Sequence, residues 1–220
     1  EYENMTEKEV IDYWDDYKEE RAGVGTEIHN ANERFAKTTE ILPEHEKWRP
    51  ALINIQSQYS SYYRIHNEII LYDSLNKMAG TSDNVFEVSS HKSSPLDIGD
   101  YKSNKKPILQ VHFTKKGKPI HKYMKHCLSH LIDSKYNRYA IQLSDYGYKI
   151  ERQTGRKIRK LFIHYINPEN PLINYQIPVP YLRSDIINMI EWYRNNAIPI
   201  STPAPKTKSI LSNFGNEDIM

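Results

Sequence analysis

The sequence predicts a mixed α/β domain, and three observations carry that prediction. As far as Tyr63, apolar residues recur mostly at helical spacing. From Arg64 the period shortens toward two, and the apolar runs are bounded by turn formers. Beyond Tyr136 a helix, a strand and another helix alternate. Helices, then a sheet, then helix–strand–helix, with no internal repeat, describe a central mixed sheet flanked by helices. At 220 residues the chain is long enough to give one such domain a proper core.

Taken in order, Thr6 to Arg21 reads as a helix, with Thr6 and Glu9 spaced as a capping box and Val10, Tyr13, Trp14 and Tyr17 as the apolar stripe. Gly23 and Gly25 are expected to break it before a second helix, Thr26 to Thr39. Pro43 opens a third, running through Trp48, Leu52, Ile55 and Tyr59 to Tyr62 or Tyr63. Arg64 to Tyr72 is β-rich, Met78 to Val88 reads as a strand pair or hairpin around Gly80, and Leu96 to Tyr101 as a further strand. Lys102 to Lys118 is basic and loop-like, with a short strand at Ile108 to Phe113. Pro119 to Ile132 is expected to be helical. Tyr136 to Thr154 is a clear helix closed by Gly155. Lys157 to Ile166 alternates as a strand, Leu172 to Val179 adds an edge strand, and Tyr181 to Asn195 is a final helix. The expected domain is 1–197, with 1–63 helical and 64–197 the core; 198–220 reads as a flexible tail or linker. The chain opens at Glu1 without an initiator Met, which leaves open a trimmed chain or an excised domain.

Composition narrows the classes. A net charge of +2 argues against a protein that coats nucleic acid through bulk charge, and leaves any such affinity to local patches. One cysteine, Cys127, rules out an internal disulfide framework and a cluster held by four cysteines of this chain. A reducing, intracellular setting is the default, and no apolar run approaches the ~20 residues that span a bilayer. No signal-peptide pattern is present.

The chemistry centres on Leu96-Asp97-Ile98-Gly99-Asp100-Tyr101-Lys102-Ser103. On a strand, Asp100 and Lys102 share a face. A carboxylate can hold a divalent ion that polarises a phosphate, and a neighbouring ammonium orients water and counters developing charge. The plain alternative is an exposed strand edge. Four other stretches surround it. Gly25-Thr26-Glu27-Ile28-His29 carries an imidazole, with Glu33 one turn later on the same face. Glu68 lies in Ile65-His66-Asn67-Glu68-Ile69. Ala79-Gly80-Thr81-Ser82-Asp83 leads into the strand before Asp100, so a hairpin sets two carboxylates side by side, and such a pair in a cleft suggests a cation. Gln142 and Tyr146 are four apart on a helix, placed to bind a nucleic-acid backbone or simply to tie the helix to the sheet.

The ordered set Gly-Thr-x-x-His (25–29), Gly-Thr-x-Asp (80–83), Asp-Tyr-Lys (100–102) and Gln-x-x-x-Tyr (142–146) resembles the RecB-like branch of the PD-(D/E)XK nuclease superfamily. The stretch from Leu128 through Gln142 to His164 is similar to nucleases of phages and large DNA viruses, and the motif order also resembles mitochondrial genome-maintenance exonucleases and CRISPR adaptation nucleases. The likeness runs from Trp14 to Trp192. It implies a restriction-endonuclease-like core with an N-terminal helical arch. It implies that His29, Asp83, Asp100 and the Tyr101 carbonyl bind one or two Mg²⁺ or Mn²⁺ ions, with Lys102 as catalytic lysine. Gln142 and Tyr146 would support the site or touch the scissile strand, and Glu33 and Glu68 are additional acidic candidates. The missing cysteine cluster sets the iron–sulfur members aside. Asp100 stands where many of the superfamily carry Glu, though the RecB branch commonly has Asp.

The implied activity is a metal-dependent deoxyribonuclease, an exonuclease on single-stranded DNA or strand ends in replication, recombination or repair. It would work in bacterial or phage-infected cytoplasm or another DNA-containing compartment, alone or beside a helicase or single-strand-binding protein, and away from membranes. The same His, acid and Lys set also resembles viral cap-snatching RNA endonucleases; a non-catalytic nucleic-acid-binding module is a third reading. The basic runs Lys102/Lys105/Lys106, Lys115 to Lys125 and Arg152 to Lys160 fit either a solvated face or a phosphate track. Trp48, Tyr59, Tyr62 and Tyr63 fit base stacking or core packing equally. His126 and His130, i and i+4 on the expected helix, would offer two zinc ligands with His121 as a third, against a plain polar helix face.

Overall fold

The computed structural model describes residues 6–114 and 116–196, and the chain divides into two compact units. One gathers the N-terminal residues to Ser60 with Tyr101–Lys106 and Tyr165–Tyr175; the other holds Ser61–Asp100, Pro107–His164 and the chain from Gln176 onward.

In the first unit, α1 (Glu7–Thr38) is one helix of 32 residues. Its capping box is formed: Glu9 N–H donates to Thr6 Oγ1 and Thr6 N–H to the Glu9 carboxylate. The break expected at Gly23 and Gly25 does not occur. Each glycine costs about 1 kcal/mol relative to alanine, too little to stop a helix whose far half is packed. Ile28 and Ala31 are buried, and the α1 backbone at Gly25 runs beside Ser103. The third expected helix starts instead as a 3-10 turn, Pro43–Trp48, and becomes α2 (Arg49–Tyr59). Trp48, Leu52, Ile55 and Tyr59 recur at helical spacing and are buried. Trp48 Nε1 donates to Glu27 at 2.9 Å, tying the turn to α1.

The second unit is built on a hairpin. β1 (Arg64–Asp73) and β2 (Met78–Glu87) pair antiparallel from Arg64–Glu87 to Asp73–Met78. Its turn is Ser74 to Lys77, where Asp73 accepts from Asn76, so Gly80 lies inside a strand and not at a turn. β3 (Leu96–Ser103) joins β2 antiparallel through Asn84–Gly99. Gly99 is required there: a Cβ would stand 2.6 Å from Phe162. After β4 (His112–Phe113) and β5 (Pro119–Ile120) comes α3 (Lys135–Thr154), capped by Ser134 and ended by Gly155 at φ 71°. β6 (Ile158–Ile166) starts level with β3, Leu96 N–H donating to Lys157 O, so the two run parallel. β7 (Asn174–Val179) returns antiparallel through the Asn167–Ile173 bond, and α4 (Arg183–Asn196) packs on α3.

The result is a five-stranded mixed sheet in the order β1-β2-β3-β6-β7, with α3 against β1 and β2. Its core is Val85, Phe86, Ile98, Leu143, Ile150, Phe162 and Ile163. The strand expected at Ile108 to Phe113 shrinks to β4. Pro119 to Ile132 is not helical: it is a ribbon held by the Tyr123–Ile132 bridge and closed by a 3-10 turn at His126–Leu128. The expected tail, 198–220, lies outside the described residues. Among the described residues no helix is long and apolar enough to cross a membrane.

Candidate metal centre

Strand register brings the acidic residues of the second unit together. Glu68 and Asp83 face each other across the β1–β2 pair, at the one step where the ladder is interrupted between Asn67–Asn84 and Ile69–Ser82. Glu68 has φ 53°, the left-handed region that a glutamate seldom occupies, which breaks the regular strand geometry at this step. One carboxylate oxygen of each lies within 4.8 Å of the other. One step beyond the Asn84–Gly99 pair, antiparallel order sets Asp100 next to Asp83. Three carboxylates thus share one row across β1, β2 and β3. Glu68 is exposed, Asp83 is 8% exposed and Asp100 only 2%.

Like charges directly opposite on a sheet destabilise it, and burial increases the penalty because the surroundings screen poorly. The Glu68–Asp83 spacing suits a divalent cation, and register places the Asp100 carboxylate beside that pair. Glu68, Asp83 and Asp100 therefore fit Mg²⁺ or Mn²⁺ by donor type. Lys102 follows on the Asp100 face of β3 by strand alternation.

In the first unit, His29 sits on α1 with its ring edge-on to Tyr101, 5.8 Å between centroids, so the imidazole lies against the residue after Asp100. Glu33, one turn on, forms an ion pair with Lys37 at 2.6 Å on the helix surface. Lys105 pairs with Glu169 at 2.7 Å, and Lys106 is exposed.

Gln142 and Tyr146 are joined, Gln142 Nε2 donating to the Tyr146 hydroxyl at 2.8 Å. The Tyr146 ring lies against Gly80, where a Cβ would stand 2.8 Å from Cε1. The glycine of the Gly-Thr-x-Asp motif is thus the seat for the tyrosine of Gln-x-x-x-Tyr. This docks α3 on β2 three residues from Asp83.

No family model matches the chain, and no curated protein matches it. Among solved structures, a protein of Eubacterium rectale provisionally named an exonuclease is 15% identical, with a TM-score of 0.46, covering 89% of this chain and 79% of its own. At that level of likeness, function has to be read from the chemistry of the side chains.

Other sequence candidates take structural places. Trp48 and Tyr59 are buried, and the Tyr62 hydroxyl donates to Asp97 at 2.7 Å. Burial and the Asp97 carboxylate both push the Tyr62 phenol well above its ordinary pKa. Tyr63 alone of this group is exposed. The three arginines of the Arg152 to Lys160 run pair with acids: Arg159 clasps buried Asp97 through two nitrogens, Arg156 reaches Glu87 and Arg152 reaches Asp73, while Lys157 and Lys160 are exposed. His126 stacks on Trp192 and His130 bonds Asp185, so the helix that would align them as zinc ligands is absent. Glu68, an additional acidic candidate in the sequence, is set opposite Asp83 by the register of the β1–β2 hairpin, in which facing residues sum to one constant.

Proposed function

We propose that the chain is a metal-dependent nuclease that hydrolyses phosphodiester bonds, a deoxyribonuclease acting on single strands or strand ends. The observation that carries this is the facing Glu68–Asp83 pair with Asp100 beside it, next to a lysine two residues along β3. In this reading Asp83, Asp100 and Glu68 would hold one or two Mg²⁺ or Mn²⁺ ions. When bound, the ion polarises the phosphate and makes a nearby water acidic. Lys102, two residues along β3 from Asp100, would orient a water and balance charge on the phosphate oxygens. Gln142, held by Tyr146, contributes an amide toward the strand. Lys105 and Lys106 receive flanking phosphates.

The test is cleavage of end-labelled single-stranded DNA and of circular DNA with Mn²⁺, Mg²⁺ or EDTA, comparing the wild type with Lys102→Ala. Loss of linear DNA alone, abolished by EDTA and by the substitution, is the expected result. Cutting of circles makes it an endonuclease. RNA is run in parallel because the His, acid and Lys set also suits RNA hydrolysis. Absence of metal-dependent cleavage of any of these nucleic acids overturns the proposal.

A further inference from the structure

Between Tyr101 and Ile132 the chain carries eight lysines and no acidic residue. With the whole chain at +2, everything outside this stretch sums to −6. The positive charge is therefore concentrated in one stretch of sequence, and five of its lysines fall between Pro107 and Ile132, an arm of the second unit with the footprint of a surface that meets a polyanion. β4 and β5 pair, the ribbon 122–133 is fastened by Met124 N–H to Leu131 O and Asp133 N–H to Lys122 O, and His126 pins it to α4 by stacking on Trp192.

Where the ribbon meets α3 there is a pocket of about 350 Å³ lined by Lys122, Tyr123, Lys125, Arg138 and Ile141, among others. Arg138 is one turn before Gln142, and Ile141 is its neighbour in the chain. Asp133 organises the rim, bonding Arg138 at 2.6 Å and reaching Lys122 at 3.4 Å. Tyr123 is 52% exposed, a large ring held at the edge of a cationic pocket.

From this we propose that the ribbon is a clamp for a single strand of nucleic acid, with one unpaired base stacked on Tyr123 and adjacent phosphates on Lys122 and Lys125. A ring offered at the rim reaches only bases outside a duplex. Lysines without a base-reading fork give affinity without sequence preference. The clamp deepens the nuclease reading, on which it rests for its role: it holds the strand that runs to the Gln142 side of α3.

The test is fluorescence anisotropy of labelled oligo-dT and oligo-U in EDTA, so that binding is read without cleavage. Tyr123→Ala is expected to weaken binding about ten-fold or more, the worth of one stacked base. Lys122→Ala with Lys125→Ala is expected to flatten the slope of log affinity against log salt by about 1.4, at ~0.7 for each phosphate contact on a single strand. Lys92→Ala, an exposed lysine outside the arm, serves as control and is expected to bind as wild type. Both side chains of the double variant and Tyr123 are at the surface, so unchanged melting temperatures confirm folding. Equal affinity for both oligonucleotides, or preference for one sugar, supports the clamp. Wild-type affinity and salt slope in the arm variants, or binding to duplex alone, overturns it. A cleavage assay of the wild type separates the two ideas: if the nuclease reading alone fails, it does not cleave while the arm variants still lose binding; if the clamp alone fails, it cleaves while the arm variants bind as wild type.

Discussion

Lys149→Met tests how the helix carrying Gln142 and Tyr146 is held. The Lys149 side chain is 1% exposed, and its Nζ donates to Asp145 Oδ2 at 2.5 Å. Asp145 Oδ1 is buried with no hydrogen-bond partner. Burial pushes the Asp145 carboxyl above its ordinary range; Lys149 pulls it back, and Asp73 nearby adds to the rise. Methionine keeps the stem of the lysine and deletes the charge, which leaves a carboxylate to be buried alone or protonated. Breaking a buried pair costs about 3–5 kcal/mol. The alternative, protonating an aspartate of ordinary pKa ~3.9 at pH 7, costs about 4 kcal/mol at 1.36 per pH unit, so the two routes agree. The sign follows from the raised folded-state pKa. Asp145 contributes stability that is present below its unfolded pKa and lost as pH rises through the folded value, and without Lys149 that loss extends to higher pH. Urea melts should therefore show a deficit of about 3–4 kcal/mol at pH 7 that shrinks to about 1 near pH 4.5, where the proton is nearly free. Adding Asp145→Asn to the variant should recover much of the loss. A deficit at pH 7 below about 1 kcal/mol, or one that does not change with pH, refutes the reasoning.

Three further outcomes are expected. Gly23→Ala and Gly25→Ala should each stabilise the protein by about 0.5–1 kcal/mol in denaturant melts, because a Cβ meets nothing within 4 Å at Gly23 and only Ser103 Oγ at 3.7 Å at Gly25. Gly80→Val should push Tyr146 off its seat at a cost of about 1–3 kcal/mol in melting experiments, and weaken strand cleavage if α3 positions the strand. For Glu87, burial favours the neutral acid, but the His66 hydrogen bond at 2.7 Å and Arg156 outweigh it and hold the carboxyl below its ordinary range. Its stability contribution is present above the unfolded pKa of about 4.3 and lost as pH falls through the folded value, so Glu87→Gln should flatten the acid limb of a stability–pH curve.

Much of the fold was legible because its signals are local. Asp100 and Lys102 share a face by the period of a strand alone, and Ser134 and Gly155 mark both ends of α3. The errors came where packing outweighs local preference. Two glycines in α1 read as a break, yet the helix runs through them. Residues 119–132 read as a helix, while a cross-strand bridge and the His126–Trp192 stack, both set by distant sequence, make them a ribbon. The same limit applies to the site. Asp83 and Asp100 could be paired from their spacing in a hairpin. Glu68 could not, since its place depends on which residues form the Ser74 to Lys77 turn and on a left-handed backbone that no short motif encodes.

The measurement closest to the central claim is the melting temperature of the wild type and Asp83→Asn, each titrated with Mn²⁺ and compared with EDTA. If the facing carboxylates form a cation site, Mn²⁺ raises the wild-type melting temperature in a saturable way. Asp83→Asn, which lacks one of the oxygen donors, gains less from Mn²⁺ over its own melting temperature in EDTA than the wild type does. A wild type indifferent to Mn²⁺, or a variant that responds as strongly as the wild type, contradicts the account.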